Sequence, residues 1–274
     1  MLDTAGAELI RDTRTPGTHR SRAAMTTLPS PAPGPGGAPD SPGGAPDSAG
    51  GARVAYRQQL ADLDRALINL VEEVAELVTP VTRGFLEADA HALARMPSAR
   101  AGIDARAAAV EESCYLVLVR QQPVGGDLRH VVAVLRSVQE VQLAANLVCH
   151  VAEAIRWVHP PTLAAQLRAA VGELGTIADA ILHGAAHAWD ERDALAATDL
   201  ARADDAADAQ QTYLLTELYT GDHPVDDAVS LALVARYYER LADHGVEIAR
   251  QLAYFLTGSR PAGTPTGNHR RPAP

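Results

Sequence analysis

The stretch Leu60-Ala61-Asp62-Leu63-Asp64-Arg65-Ala66-Leu67-Ile68-Asn69-Leu70-Val71-Glu72-Glu73-Val74-Ala75-Glu76-Leu77 decides the fold class. Leu60, Leu63, Leu67, Leu70, Val74 and Leu77 return at intervals of three and four residues, which lines one side of an α-helix with apolar groups. That stripe predicts a first helix from Arg53 to about Glu87. Pro80 lies inside it and is expected to bend it, because proline has no amide donor and its ring crowds the preceding turn.

The same texture continues downstream. A second helix is predicted from about Asp89 to Val119, with Pro97 disturbing its start, and a third from after Gln121-Gln122-Pro123 to about Val158, where His159-Pro160-Pro161 ends it. Three more follow: Thr162 to about Asp190, Arg192 to about Tyr219, and Asp226 to about Leu256. Thr220-Gly221-Asp222-His223-Pro224 breaks the last pair apart, and Gly258 stands where a helix C-cap belongs. Six long helices with short connections imply antiparallel neighbours. The expected architecture is all-α: two tandem antiparallel three-helix bundles from a duplicated unit, residues 53–159 and 160–258.

Composition agrees. Of the 274 residues 47% are hydrophobic but only 4% aromatic, and alanine is abundant, a balance that suits close-packed helices better than sheets. Residues 1–52 are rich in Gly, Pro, Ser, Thr and Asp, with Gly36 to Ser41 nearly repeated as Gly43 to Ser48. Such a segment has too little apolar surface to offset its ordering entropy, so this tail and the polar, proline-rich residues 259–274 are expected to be disordered. Translation could start at Met1 or at Met25 without touching the folded part.

The formal charge of −10 disfavours a protein that neutralises nucleic-acid phosphates or an anionic membrane surface. No stretch approaches the roughly 18 uninterrupted apolar residues of a membrane span, and no export signal opens the chain. Cys114 and Cys149 each sit in an apolar helical pattern, which reads as two reduced, buried thiols. A cytoplasmic location is expected. Gly125-Gly126 lacks the Gly-Lys-Ser/Thr of a phosphate loop, and no nucleophile elbow or Cys-His pair is present. No catalytic or organic-cofactor residues are assigned, and Asp127 reads as the N-cap of the third helix.

Two motifs carry a resemblance. Arg120-Gln121-Gln122-Pro123-Val124-Gly125-Gly126-Asp127-Leu128-Arg129 resembles the connection between the second and third helices of the PhoU family, a Gln-Gln-Pro turn followed by Asp-Leu-Arg. Ala235-Arg236-Tyr237-Tyr238-Glu239-Arg240-Leu241-Ala242-Asp243-His244 is similar to that family's Arg-Tyr-Leu-Glu-Arg-Ile-Gly-Asp-His signature, with Ala242 in place of the usual glycine. The likeness spans residues 53 to 258. It implies a non-enzymatic negative regulator of phosphate uptake and phosphate-starvation signalling. Such a regulator binds the ATPase subunit of a phosphate ABC transporter and a phosphate-sensing histidine kinase, as a homodimer.

Glu239 and Asp243 are one turn apart on one helix face, and Asp204 and Asp208 repeat the spacing on the fifth helix. Antiparallel pairing would gather four carboxylates, which repel unless a cation or an arginine offsets them. The resemblance assigns metal binding to Asp204, Asp208, Glu239 and Asp243, and hard oxygen ligands suit magnesium, manganese, calcium or iron. The plainer reading is a solvated face tied to Arg202, Arg236 and Arg240. His244 and His150 are weaker ligand candidates, and His130, His183, His187 and His223 receive no role.

Aligning Ala133 to Val151 with Ser230 to Ile248 sets Gln142 opposite Glu239 and Asn146 opposite Asp243. Upstream, Arg100 stands in the place of Asp204 while Asp104 keeps that of Asp208. Neutral amides and an arginine are poor company for a hard cation, so the first bundle is expected not to bind metal. Either the face drifted after duplication, the reading favoured from sequence, or the arginine supplies the missing charge. Two rival functions are a carboxylate-bridged metal enzyme and a structural paralogue without a signalling role. The first lacks the Glu-x-x-His pairs such sites use, since Ala242 follows Glu239 at that interval.

Overall fold

The computed structural model of the chain describes residues 47–259. Among them there is no strand. The long helices are α1 (Asp47–Leu86), α3 (Met96–Gln121), α4 (Gly126–Glu153), α5 (Ala165–Glu191), α6 (Ala196–Thr220) and α7 (Val225–Thr257), and one short helix, α2 (Ala90–Leu93), joins α1 to α3. Two 3-10 turns, Ala154–Arg156 and Pro160–Thr162, carry the chain from α4 to α5. The expected all-α fold of two antiparallel three-helix bundles is the fold observed. Helices α1, α3 and α4 pack together, as do α5, α6 and α7, and the halves meet through α1 against α5 and α4 against α7.

Several boundaries differ from expectation for identifiable reasons. Residues 47–52, assigned to the tail, already belong to α1; the rest of the expected tails, 1–46 and 260–274, lies outside the described residues. Helix α1 runs through Pro80 as one helix. The Glu76 carbonyl that proline leaves without a donor belongs to an exposed residue, so water can satisfy it. The second predicted helix is two: Asp89 Oδ1 caps α2 by accepting from the amides of His91 and Ala92 at 3.0 Å, and Pro97 sits in the first turn of α3, where a missing amide costs nothing. Asp127 is not the N-cap of α4. That place is taken by Gly125, at φ 58°, and Asp127 instead accepts a hydrogen bond from Tyr56 Oη at 3.1 Å.

A single hydrophobic cluster runs through both halves, from Leu67, Leu70 and Val74 of α1 through Val134, Val138 and Val141 of α4 to Leu231, Val234 and Leu241 of α7. Helix α4, extended to Arg156, is long and apolar enough by length and composition to cross a bilayer. Its apolar side is nevertheless taken up by this core, and Val131, Val134 and Val138 have no exposed surface. Thr82 and Tyr238, from opposite halves, share a buried hydrogen bond of 2.6 Å. At the same crossing Gly175 of α5 meets Thr82 so closely that a Cβ would lie 2.5 Å from its Oγ1. Only glycine permits that approach.

Between the halves lies a polar knot. His130 Nε2 stands 2.5 Å from Asp64 Oδ1, Arg192 donates to Asp64 Oδ2, and Phe255 stacks on the His130 ring at 4.2 Å with the Arg192 guanidinium 5.2 Å from its centroid. Arg192 reaches this place because, as the left-handed C-cap of α5 at φ 56°, it turns back from the helix end.

Candidate metal centre

Helix α6 offers Asp204 and Asp208 and helix α7 offers Glu239 and Asp243, each pair one turn apart. The tertiary pairing of α6 with α7 brings all four within electrostatic reach of one another. Asp204 shows it best. Partial burial, and then the charges of Asp243, Asp208 and Glu239, hold its carboxyl up at about 7, with Arg250 pulling the other way. Its Oδ1 is buried and has no hydrogen-bond partner.

Glu239 is buried, at 8% exposed. Desolvation raises its pKa, as do Asp243 and Asp208, while Arg236 opposes them through a 2.5 Å ion pair to Oε2. Asp243 is raised by burial first and then by Asp208. Arg202, one of the arginines expected to tie this face, pairs instead with Asp199 at 3.0 Å on its own helix. Among the described residues no group of three or more His, Cys, Asp or Glu side chains is gathered closely enough to hold a metal ion. The arrangement is an open set of desolvated acids short of positive charge. An orphaned carboxylate oxygen and several acids held against their own ionisation give this face hard oxygen donors of the kind a cation would use, spread over two helices rather than drawn together.

The first half presents the same two helix faces with different contents. Arg100 of α3 donates from Nε to both oxygens of Asp104, at 3.0 and 3.2 Å, and from Nη1 to Asn146 Oδ1 of α4. The Asn146 amide continues to His150 Nε2 at 3.0 Å, and Gln142 is half-buried on the same face. Here every acid has a partner and no desolvated carboxylate waits for one. This set does not fit a metal ion.

The two histidines considered as ligands make other contacts, although His244 Nε2 is buried without a hydrogen-bond partner. His150 meets Asn146 and leans against the Tyr237 ring at 5.3 Å. His244 turns toward the other half, with Nδ1 2.6 Å from Glu140 Oε2. Both cysteines are free, Cys114 buried and Cys149 only half-buried. A cavity of about 570 Å³ between α1 and α3 is walled by Leu63, Leu70 and Val110, with Asp62 and the Glu73–Arg106 ion pair at its polar side.

A helical pair repeated twice, with an acidic patch between the hairpin helices of the second copy, defines a class of duplicated three-helix bundle proteins. Comparison with known proteins agrees. The family model described as PhoU domain matches twice, over residues 67–155 and 171–252, once in each half. A phosphate-specific transport system accessory protein PhoU homolog 1 of Mycobacterium leprae is 32% identical over 212 residues, covering 76% of this chain and 96% of the relative. A homolog 2 of Mycobacterium tuberculosis is also 32% identical, over 76% of this chain and all (100%) of its own. The crystal structure of PhoU from Pseudomonas aeruginosa superposes with a TM-score of 0.70 at 21% identity, over 74% of this chain and 100% of that one. The chain belongs to the PhoU family.

Proposed function

We propose that this protein is a non-enzymatic regulator of phosphate uptake and phosphate-starvation signalling, acting as an adaptor between a phosphate transporter's ATPase subunit and a phosphate-sensing histidine kinase. The observation that carries the reading is the double family match together with relatives named as accessory proteins of phosphate-specific transport. The described residues add to it by what they offer chemically: long helical surfaces and an acidic face shared by α6 and α7. A cytoplasmic homodimer that keeps the starvation response off in high phosphate is the form in which we expect it to act.

Within that role we assign Asp204, Asp208, Glu239 and Asp243 as the holders of a divalent cation or iron. A bound cation supplies positive charge where four carboxylates face one another. The chain's own part is to present those oxygens from two adjacent helices, to keep Glu239 oriented through Arg236, and to leave one oxygen of Asp204 unspent. Deletion of the gene should derepress phosphate-starvation transcription in high phosphate, and the full chain should restore repression. Unchanged expression at high and low phosphate would sink the regulatory reading. Capture of the transporter ATPase and the kinase from phosphate-replete cells tests the adaptor role directly.

A further inference from the structure

We infer that Arg100 is a tethered cation: its guanidinium takes, between α3 and α4, the part that a bound metal would take between α6 and α7, and it fixes the first half in a metal-independent state. The inference rests on the cation reading of the second half for its comparison, while the arginine's own bridging role stands on the contacts around it.

The geometry separates replacement from drift. A drifted surface arginine on a helix would reach solvent or a neighbour on its own helix. Arg100 does more: it grips Asp104 through Nε and then crosses to Asn146 on the next helix, and its side chain is 28% exposed. Asn146 passes the link on to His150, so one chain of hydrogen bonds runs from α3 into the body of α4.

Charge supports the same conclusion. At the four matched positions the first half has one arginine, one aspartate and two amides, formally neutral, whereas the second half has four acids. Once an arginine provides the positive charge, further carboxylates would only restore an imbalance. Gln142 and Asn146 keep the hydrogen-bonding shape without the charge. No arginine hydrogen bond of this kind crosses from α6 to α7 among the described residues: Arg236 and Arg250 pair within α7 and Arg202 within α6, and Arg250 reaches Asp204 through its charge alone. Guanidinium stays protonated across the accessible pH range and cannot diffuse away. The first half is thereby held in the bridged state that the second half reaches only with a cation bound. A cation signal would act through one half alone.

The test uses the full chain, manganese(II) as probe, and two readouts: bound manganese per chain, and amide hydrogen exchange in residues 96–104 and 142–150 against 200–208 and 239–247. In the wild type, chelation should speed exchange in the second pair of segments and leave the first unchanged. Arg100→Gln should speed exchange in the first pair about tenfold, as expected for loss of a charge-assisted bridge, and manganese should not reverse it. The combined variant Arg100→Asp, Gln142→Glu, Asn146→Asp should bind one more manganese per chain than the wild type, and first-half protection should then depend on it. Unchanged exchange in Arg100→Gln overturns the inference, as does a folded combined variant that gains no manganese. Should the combined variant not fold, Asn146→Ala, which removes one end of the bridge, must reproduce the local loosening or the inference falls. A wild type that binds no manganese and ignores chelation refutes the second-half cation site, and the Arg100→Gln exchange still decides the bridge.

Discussion

The hairpins α3–α4 and α6–α7 come from the same repeat, and they hold themselves together by opposite electrostatics. In the first, a guanidinium bridges an aspartate and an asparagine across the two helices, and charge is satisfied within the chain. In the second, acids on adjacent helices raise one another's pKa and leave an oxygen of Asp204 buried without a partner. Duplication thus preserved the helical frame, which needs only the apolar stripes, while the polar seam between the helices was free to change. One seam became self-sufficient. The other kept four acids whose mutual repulsion the proposed cation would offset.

The sharpest way to break the comparison is to neutralise the second seam. Glu239→Gln with Asp243→Asn should weaken divalent-cation binding by roughly 100-fold or more, because ligand charge sets the affinity of oxygen sites. Gln142→Ala with Asn146→Ala should leave it unchanged, and calorimetric titration of both reads the contrast.

Next in size is a packing difference between α4 and α7, read where α7 meets α5. Gly245 of α7 lets Ile181 Cγ2 approach within 2.7 Å of where a Cβ would stand, while its counterpart in α4 is the buried Val148. Gly245→Ala should cost about 2 kcal/mol in urea unfolding, since a β-branched neighbour against the helix has no easy retreat.

A smaller effect should follow pH. The Asp204 carboxyl ordinarily titrates near 3.8 and is held up at about 7 in the fold, so the folded state binds the proton more tightly than the unfolded one. Stability without metal should therefore fall as pH rises from about 4 to 7 and stay low above that. Asp204→Asn should reduce this fall, leaving the part due to Glu239 and Asp243, whose carboxyls are also raised, and should raise Tm at pH 8 by about 2–4 °C in chelator while changing it little at pH 4. Added cation should oppose the same fall in the wild type. The smallest effect is expected for Arg202→Ala, which removes an exposed pair with Asp199 and should move Tm by under about 2 °C. A larger drop would show that Arg202 also steadies the acidic seam.

Much of this was open to inspection in one dimension. The Leu60 to Leu77 stripe announced a core helix, and Gly258 marked the end of α7, because backbone geometry at these places depends on neighbours within a turn. The same locality let the i, i+4 acids be picked out and let Arg100 be matched to Asp204. Errors gathered where local rules compete. Asp127 is a good capping residue, yet Gly125 could take a positive φ that left Asp127 inside the first turn and free to bind Tyr56. The second predicted helix hid a break at Arg95, because Asp89 could cap a short helix of its own.

Sequence by itself determined the helices, their duplication, the all-α class and which seam carries acid, since each depends on spacing along the chain. Only the tertiary structure decided what the polar groups do. Asp64, His130 and Arg192 come from distant parts of the chain to form one knot around Phe255, and no periodicity announces it. Whether Arg100 would face solvent or cross to Asn146, and whether Asp204 would find a partner, depended on how two helices lie against each other. Electrostatic energy is set by distance and burial, and both exist only once the chain has folded.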